Sequence, residues 1–346
     1  MKQKLVYLLW VGCLMSGMLF ASCIRDEIEY CPSLKITVTV KDKNYFNAEE
    51  VAAQGLYEVM DENLPFRSYV SSLYYIVHDE AGNVVAEQPN MPVEGDAKEA
   101  VIQLPVDLPY GKYRVTVWGN MKSERPLDEH ATTAELEHTD AAQNDIYLAN
   151  GEVVYAYGNE NHALALERTK GRLIIVAENL PDYIDFSEKT IEDVYSVITS
   201  DFQYSGLVDL VSQTPWTEPN DIITHTLTCP SEGIETANLA VDFYDADVAG
   251  KTRAADYLGT LSPEDVRITM GRNEITVVKY IYVKPGEPEP GPDEPEEPEG
   301  PDEPEQPEEP DDPDSEPEPS PEPEGRFFIY ILVNDNWEQI HQMEVD

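Results

Sequence analysis

Residues Leu34–Lys41 read LKITVTVK. Ile36, Val38 and Val40 alternate with Lys35, Thr37, Thr39 and Lys41. A strand repeats its side-chain direction every two residues, so this pattern puts three branched apolar groups on one face and polar groups on the other. It predicts a half-buried strand.

Downstream, residues 48–60 (AEEVAAQGLYEVM) predict a short helix broken by Gly55. Ser72–His78 (SLYYIVH) is aromatic and β-branched, and DEAGN at 79–83 turns it into Val84-Val85 as a hairpin. Further strands are expected at 100–104, 111–118, 146–148, 152–157 and 163–167. A second series opens at Arg172–Val176 (RLIIV) and continues at 194–199, 206–211, 222–229, 239–243, 266–270 and 273–283. Ser262-Pro-Glu-Asp265 resembles a capped single turn with proline at the first helical position. Two runs of short strands separated by turn residues favour all-β architecture over any βαβ arrangement. The expected fold is two tandem antiparallel β-sandwiches, residues 34–165 and 166–284, with the boundary near 160–170.

Residues 285–325 change character. They hold 15 Pro and 19 acidic groups, no Lys or Arg, and no apolar side chain beyond the prolines. Such a segment has nothing to bury against the entropy of ordering. Proline and like-charge repulsion favour an extended, stiff spacer. After it comes the most strand-like run in the chain, Arg326–Val333 (RFFIYILV), within a terminal segment 326–346. Phe327, Ile329, Ile331 and Val333 share one face; Phe328, Tyr330 and Leu332 share the other. An isolated strand or hairpin on a tether is not stable in water, and unpaired it is an aggregation hazard. It must close a sheet of its own chain or be donated to a groove on another, with Phe327, Ile329, Ile331, Val333 and Trp337 as the inserted groups.

At the other end, Lys2 and Lys4 precede an apolar run from Leu5 to Phe20, followed by Ala21-Ser22-Cys23 and the acidic Asp26, Glu27 and Glu29. A positive start, a short apolar core and small residues describe an export signal over residues 1–22. The core is shorter than the roughly 20 residues a spanning helix needs. A cysteine directly after two small residues resembles a bacterial lipobox, in which the Cys23 thiol takes a diacylglycerol and residues 23–33 become a lipidated tether. The other reading is a secretory signal cut near Ala21, with Cys23 incidental. Several acyl chains would hold the chain on a membrane at about 0.8 kcal/mol per buried CH₂. Ile24 after the cysteine suits an outer membrane, and the acidic residues beyond resemble a surface-export signal of Bacteroidetes lipoproteins.

The 346-residue chain carries a formal charge of −45. A polyanion does not neutralise nucleic-acid phosphates and is repelled by anionic headgroups, so attachment must come from acyl chains. After Cys23 only Cys31 and Cys229 remain; they either pair in an oxidising compartment or stay as two buried thiols. The six histidines are scattered without metal spacing. Asp245-Ala-Asp247 with Gly250 faintly resembles a calcium loop, but Ala249 takes a ligand position and Asp256 replaces the bidentate Glu. No phosphate loop, nucleophile elbow or zinc-protease motif is present. Nothing in the sequence asks for a cofactor, a metal or a small-molecule substrate. Trp118, Trp216 and Trp337 are either core and interface anchors or a sugar-stacking platform.

Tyr30-Cys-Pro-Ser-Leu34 running into KITVTVKDKNYFN (35–47), NLPFRSYVSSLYYIVHDEAGNVV (63–85), Leu166-Glu-Arg168 through Leu173-Ile-Ile175 and Glu178-Asn-Leu-Pro181 together resemble the FimB/Mfa2 family of Bacteroidales fimbrial anchor subunits, and ILVNDNWEQIH (331–341) resembles the closing strand motif of related fimbrial proteins. The acidic Pro spacer departs from that family's pattern. The resemblance implies two transthyretin-like sandwiches in a non-enzymatic lipoprotein of the outer membrane, at the base of a type V fimbria. Its partners would be the membrane, through the N-terminal lipid, and a fimbrial shaft subunit joined by strand exchange, with a part in limiting fibre length. The alternative is a surface glycan-binding lipoprotein of a polysaccharide-uptake system.

Overall fold

A computed structural model describes residues 32–121, 132–136, 145–215, 221–245, 260–287, 325–333 and 336–344. The export signal, Cys23, Cys31, Trp216, most of the calcium-like loop and the acidic spacer lie outside them.

In chain order the elements of the first half are β1 (Lys35–Val40), α1 (Ala48–Ala53), β2 (Ser72–Asp79), β3 (Val84–Pro92), β4 (Ala100–Gln103), β5 (Gly111–Gly119), β6 (Thr133–Glu135), β7 (Tyr147–Tyr155) and β8 (Asn161–Arg168). β1 matches LKITVTVK: Ile36, Val38 and Val40 are buried while Lys35 stays exposed. α1 ends before Gly55, whose φ of 72° only glycine adopts freely. Seven strands form one curled sheet in the order β3-β2-β5-β7-β8-β1-β4. Among the described residues its two leaves join where Tyr147 and Leu148 meet Arg168 and Glu167. Between the leaves lies the first core, in which Leu34, Ile36, Val38, Ile102 and Leu166 face Leu73, Val77, Val115, Val117 and Tyr155.

The second half contains β9 (Gly171–Glu178), β10 (Phe186–Thr199), β11 (Tyr204–Pro215), β12 (Asp221–Thr228), β13 (Ala237–Tyr244), β14 (Val266–Ile268), β15 (Ile275–Val283), β16 (Arg326–Val333) and β17 (Asn336–Glu344). One sheet runs β11-β10-β13-β14; the other runs β12-β9-β15-β16-β17. The second core fills the space between them, with Leu173, Ile175, Val278 and Tyr280 from one sheet against Ile191, Leu239, Val241 and Phe243 from the other. The chain is therefore all-β, in two sandwiches. Pairing among the described strands is antiparallel except for β1 with β8 and β9 with β15, which run parallel. β6 crosses between halves and pairs with β10.

Several local expectations change. Residues 146–148 and 152–157 are not two strands; β7 runs unbroken from Tyr147 to Tyr155. Asn150-Gly151 has the composition of a hairpin turn, but the Asn150 carboxamide accepts from Thr116 and donates to Asp201. A Cβ at Gly151 would sit 2.6 Å from a Leu164 methyl, so glycine serves close packing here. Residues 262–265 form no helical turn: Leu261 pairs with Phe243 and keeps the chain extended, and the Ser262 hydroxyl donates to Asp242 instead of capping.

Candidate functional site

Strand register fixes which end of each element faces which pole. β8 starts beside Lys35 at the N-terminal end of β1 and runs to Arg168. Only Thr169 and Lys170 separate it from β9, which continues away to Glu178. The junction of the two halves therefore lies at 168–171. The near pole holds the start of β1, where the chain emerges toward Cys23. The far pole holds the end of β15, where Val283 is the cross-strand partner of Arg326. β16 returns from there toward the junction, and β17 runs back until Glu344 pairs with Arg326. The start of β1 and the end of β17 thus sit at opposite poles.

The C-terminal strand lies in its own chain's sheet. Tyr282 pairs with Phe327, Tyr280 with Ile329 and Val278 with Ile331. Phe327 and Ile329 are buried in the second core and Ile331 packs half-buried against it. The Phe327 ring stacks on Phe243 at 5.8 Å and meets Tyr282 at 5.3 Å. Phe328, on the opposite face, is also buried. Val333 pairs with Asn336 where β16 turns into β17. Trp337 and Leu332 pack with Ile174, Val176 and Val277 against Val51 of α1, so a helix of the first half covers the outer face of this sheet. The Trp337 indole donates to Gln54 at 3.2 Å, and the Lys279 ammonium lies 4.3 Å from its ring centroid. Sequence reasoning found the strand but not its second layer of contacts; the parity of Phe328 and Leu332 was the available signal.

The junction is a polar lock that no sequence signal singled out. Arg168 is buried; its Nε donates to Asp145, Nη1 to the Asn273 carboxamide at 2.6 Å and Nη2 to the Tyr147 hydroxyl at 2.8 Å. Its guanidinium lies 4.1 Å from the Tyr45 ring centroid. Burial works against the Arg168 charge, but Asp145 and the two tyrosines more than offset it and hold the group above its ordinary range. Burial first, then Asp145, raises the Tyr45 and Tyr147 hydroxyls, so both stay neutral. Asn47 exchanges two hydrogen bonds with the Ile275 backbone, at 2.8 and 2.9 Å. Glu167 bridges Arg272 at 3.0 Å and Lys41 at 3.2 Å. Burial alone would raise the Glu167 carboxyl, yet these two cations hold it below its usual value. Each nitrogen of the Arg168 guanidinium fork thus meets a partner from one half or the other, the arrangement that makes a buried charge tolerable.

Trp118 is fully buried against Tyr74, Ile76, Ile198 and Cys229, where β2 and β5 meet β10. It anchors the junction and cannot stack on a sugar, which removes it from the sugar-platform expectation. Cys229 is buried beside it, and burial pushes its thiol up to about 12, against a smaller opposing effect of Lys170. Cys31, the other half of the possible disulfide, lies outside the described residues. Among the described residues no cluster of His, Cys, Asp and Glu is placed to hold a metal ion, and no helix is long and apolar enough to cross a membrane.

No family model and no curated protein matches the chain. It is similar to several solved structures. A candidate adhesin from Bacteroides ovatus shares 12% identity at TM-score 0.49, over 93% of this chain and 98% of that one. The fimbrial anchor protein Mfa2 from Porphyromonas gingivalis shares 12% at TM-score 0.45, over 73% and 91%. A fimbrial assembly protein from Parabacteroides distasonis shares 10% at TM-score 0.42, over 73% and 91%.

Proposed function

We propose that the chain is a non-enzymatic outer-membrane lipoprotein that anchors a fimbria, held in the membrane through Cys23 and coupled to a fibre subunit by strand exchange. The observation that carries this reading is the polarity of the fold. The tether leaves one pole and the C-terminal strands end at the other, as a link between a membrane and a fibre requires. The junction between the poles is fastened by Arg168, Asn47 and Glu167. The resemblance of residues 30–47, 63–85, 166–181 and 331–341 to fimbrial proteins supports the same reading.

The coupling runs through the β15–β17 sheet. β15 and β16 are paired neighbours, yet residues 284–325 join them where a two-residue turn would do. Closing a loop on the order of forty residues instead costs about 2–3 kcal/mol more. That lowers the barrier to handing β16 to a partner groove, where main-chain hydrogen bonds give affinity and alternate side chains fill pockets. The burial of Phe327, Phe328 and Ile329 favours a second reading, in which β16 permanently closes its own sandwich. Deleting 326–346 separates the two. Under donation the chain stays folded and lipidated but no longer retains fimbriae. Under closure the second sandwich loses protease resistance over 166–284. Fimbriae retained by a folded, truncated chain would remove strand donation.

A further inference from the structure

The near pole of the first sandwich carries several exposed apolar side chains. Tyr157 is 78% exposed, Val106 55%, Val154 48% and Tyr110 46%. Val106 and Tyr110 lie in the connection from β4 to β5; Val154 and Tyr157 lie where β7 gives way to β8. Register brings these loops together. Tyr155 is the cross-strand partner of Gly111, and Lys35 is the partner of both Asn161 and Gln103. All of them flank the point where β1 begins. Tyr155, itself buried, fastens the emerging chain: its hydroxyl donates to the Pro32 carbonyl at 2.9 Å, and the Tyr110 ring meets it edge-on at 4.8 Å.

The stretch between Cys23 and Pro32 is short. Eleven residues of extended backbone from Cys23 to Leu34 span at most about 35 Å. A lipid on Cys23 therefore keeps this pole, and not the far one, within reach of the bilayer, where tethering raises the local concentration of surface for it to meet. Tyrosine and valine at such a pole have the chemistry of a membrane–water interface, an apolar body with a polar tip facing the headgroups. We propose that Tyr157, Tyr110, Val106 and Val154 form a docking surface for the zwitterionic lipid of the membrane that holds Cys23, so that the sandwich rests on the membrane instead of swinging on its tether. This rests on the lipid-anchor reading of Cys23. The charges at the same pole are Asp79, Glu80, Asp107 and Glu160 against Lys35 and Lys112. That acidic balance is repelled by anionic lipid and fits a zwitterionic surface.

The test uses the mature chain, reconstituted in phosphatidylcholine vesicles with acyl chains brominated near the headgroup. Two variants are compared with the parent, Tyr157→Trp at the near pole and Tyr183→Trp, an exposed position beside β10 at the far pole. The added emission of Tyr157→Trp is expected to shift blue and lose about half or more of its intensity, as for a ring some 5–10 Å into the headgroup boundary. That of Tyr183→Trp is expected to be unchanged. Mass spectrometry of the same sample reads the lipid on Cys23. A lipidated, vesicle-bound chain with no quenching at position 157 overturns this proposal and leaves the anchor reading standing. A chain without lipid at Cys23 overturns both. A blue shift that grows with protein concentration in the absence of vesicles assigns the patch to a second copy, and also overturns it.

Discussion

Phe327→Ala is the substitution whose outcome follows most directly from the structure. The ring is 3% exposed, stacks on Phe243 and is flanked by Tyr280 and Tyr282. Truncating a buried phenylalanine costs about 3–5 kcal/mol, from lost burial and the cavity left between the sheets. The hairpin it belongs to already bears the loop-closure cost of residues 284–325, so little margin remains to absorb the loss. For a sandwich pair of this size each kcal/mol moves the melting midpoint by about 2–4 °C, which places the expected drop on the order of 10 °C. The assay is thermal unfolding by circular dichroism of the unlipidated Cys23→Ser chain, with limited proteolysis over 166–284. Ile331→Ala, half-buried on the same face, is the graded control and is expected to cost less than half as much. A Phe327→Ala midpoint within about 3 °C of the parent would show that β16 does not complete the second core, and the structural argument for either fate of the strand would fall.

Other outcomes follow from the junction. Arg168→Met leaves Asp145 buried without its cation and is expected to destabilise by about 3–5 kcal/mol, with new protease sites at 168–171; unchanged stability would mean the lock holds nothing. Gly171→Ala puts a methyl group against the Gly271 carbonyl oxygen and is expected to lower the midpoint on the scale of the Phe327 variant, whereas Gly55→Ala, strained only by its φ, is expected to cost about 1 kcal/mol. The Cys229 thiol, pushed up to about 12, is expected to resist alkylation at pH 8 until the chain is unfolded; rapid native labelling would mean that the Trp118 cluster is open.

Where the sequence was legible, local alternation explains why. LKITVTVK buries the alternate residues its pattern selects, whereas RFFIYILV buries Phe327 and Ile329 on one face and Phe328 on the other. β10 was half visible. Its second part, around Val194 and Ile198, is apolar inward, but its first part turns Ser187 and Lys189 toward the interior along with Ile191, so period two carried no hydrophobic signal there. β17 was missed for a similar reason, since NWEQIHQME has too few apolar residues to alternate. The parallel pairs β1–β8 and β9–β15 join residues more than a hundred positions apart, which no local window contains. The junction lock was invisible because Asp145, Arg168 and Asn273 are ordinary polar residues until the fold brings them together. Trp118 shows the converse: an aromatic residue in a strand takes its role from which neighbour covers it, and here that neighbour is the second sandwich.

The central claim is a link from membrane to fibre that begins at Cys23. The measurement that tests it most directly is recovery of the Cys23-lipidated chain from outer membranes, with identification of what comes with it. The account predicts an acylated Cys23 and co-purified fimbrial polymer, with Cys23→Ala shedding fimbriae into the medium while both sandwiches stay folded. A lipidated chain that brings down no fimbrial polymer, or a Cys23→Ala strain that keeps its fimbriae, would contradict it.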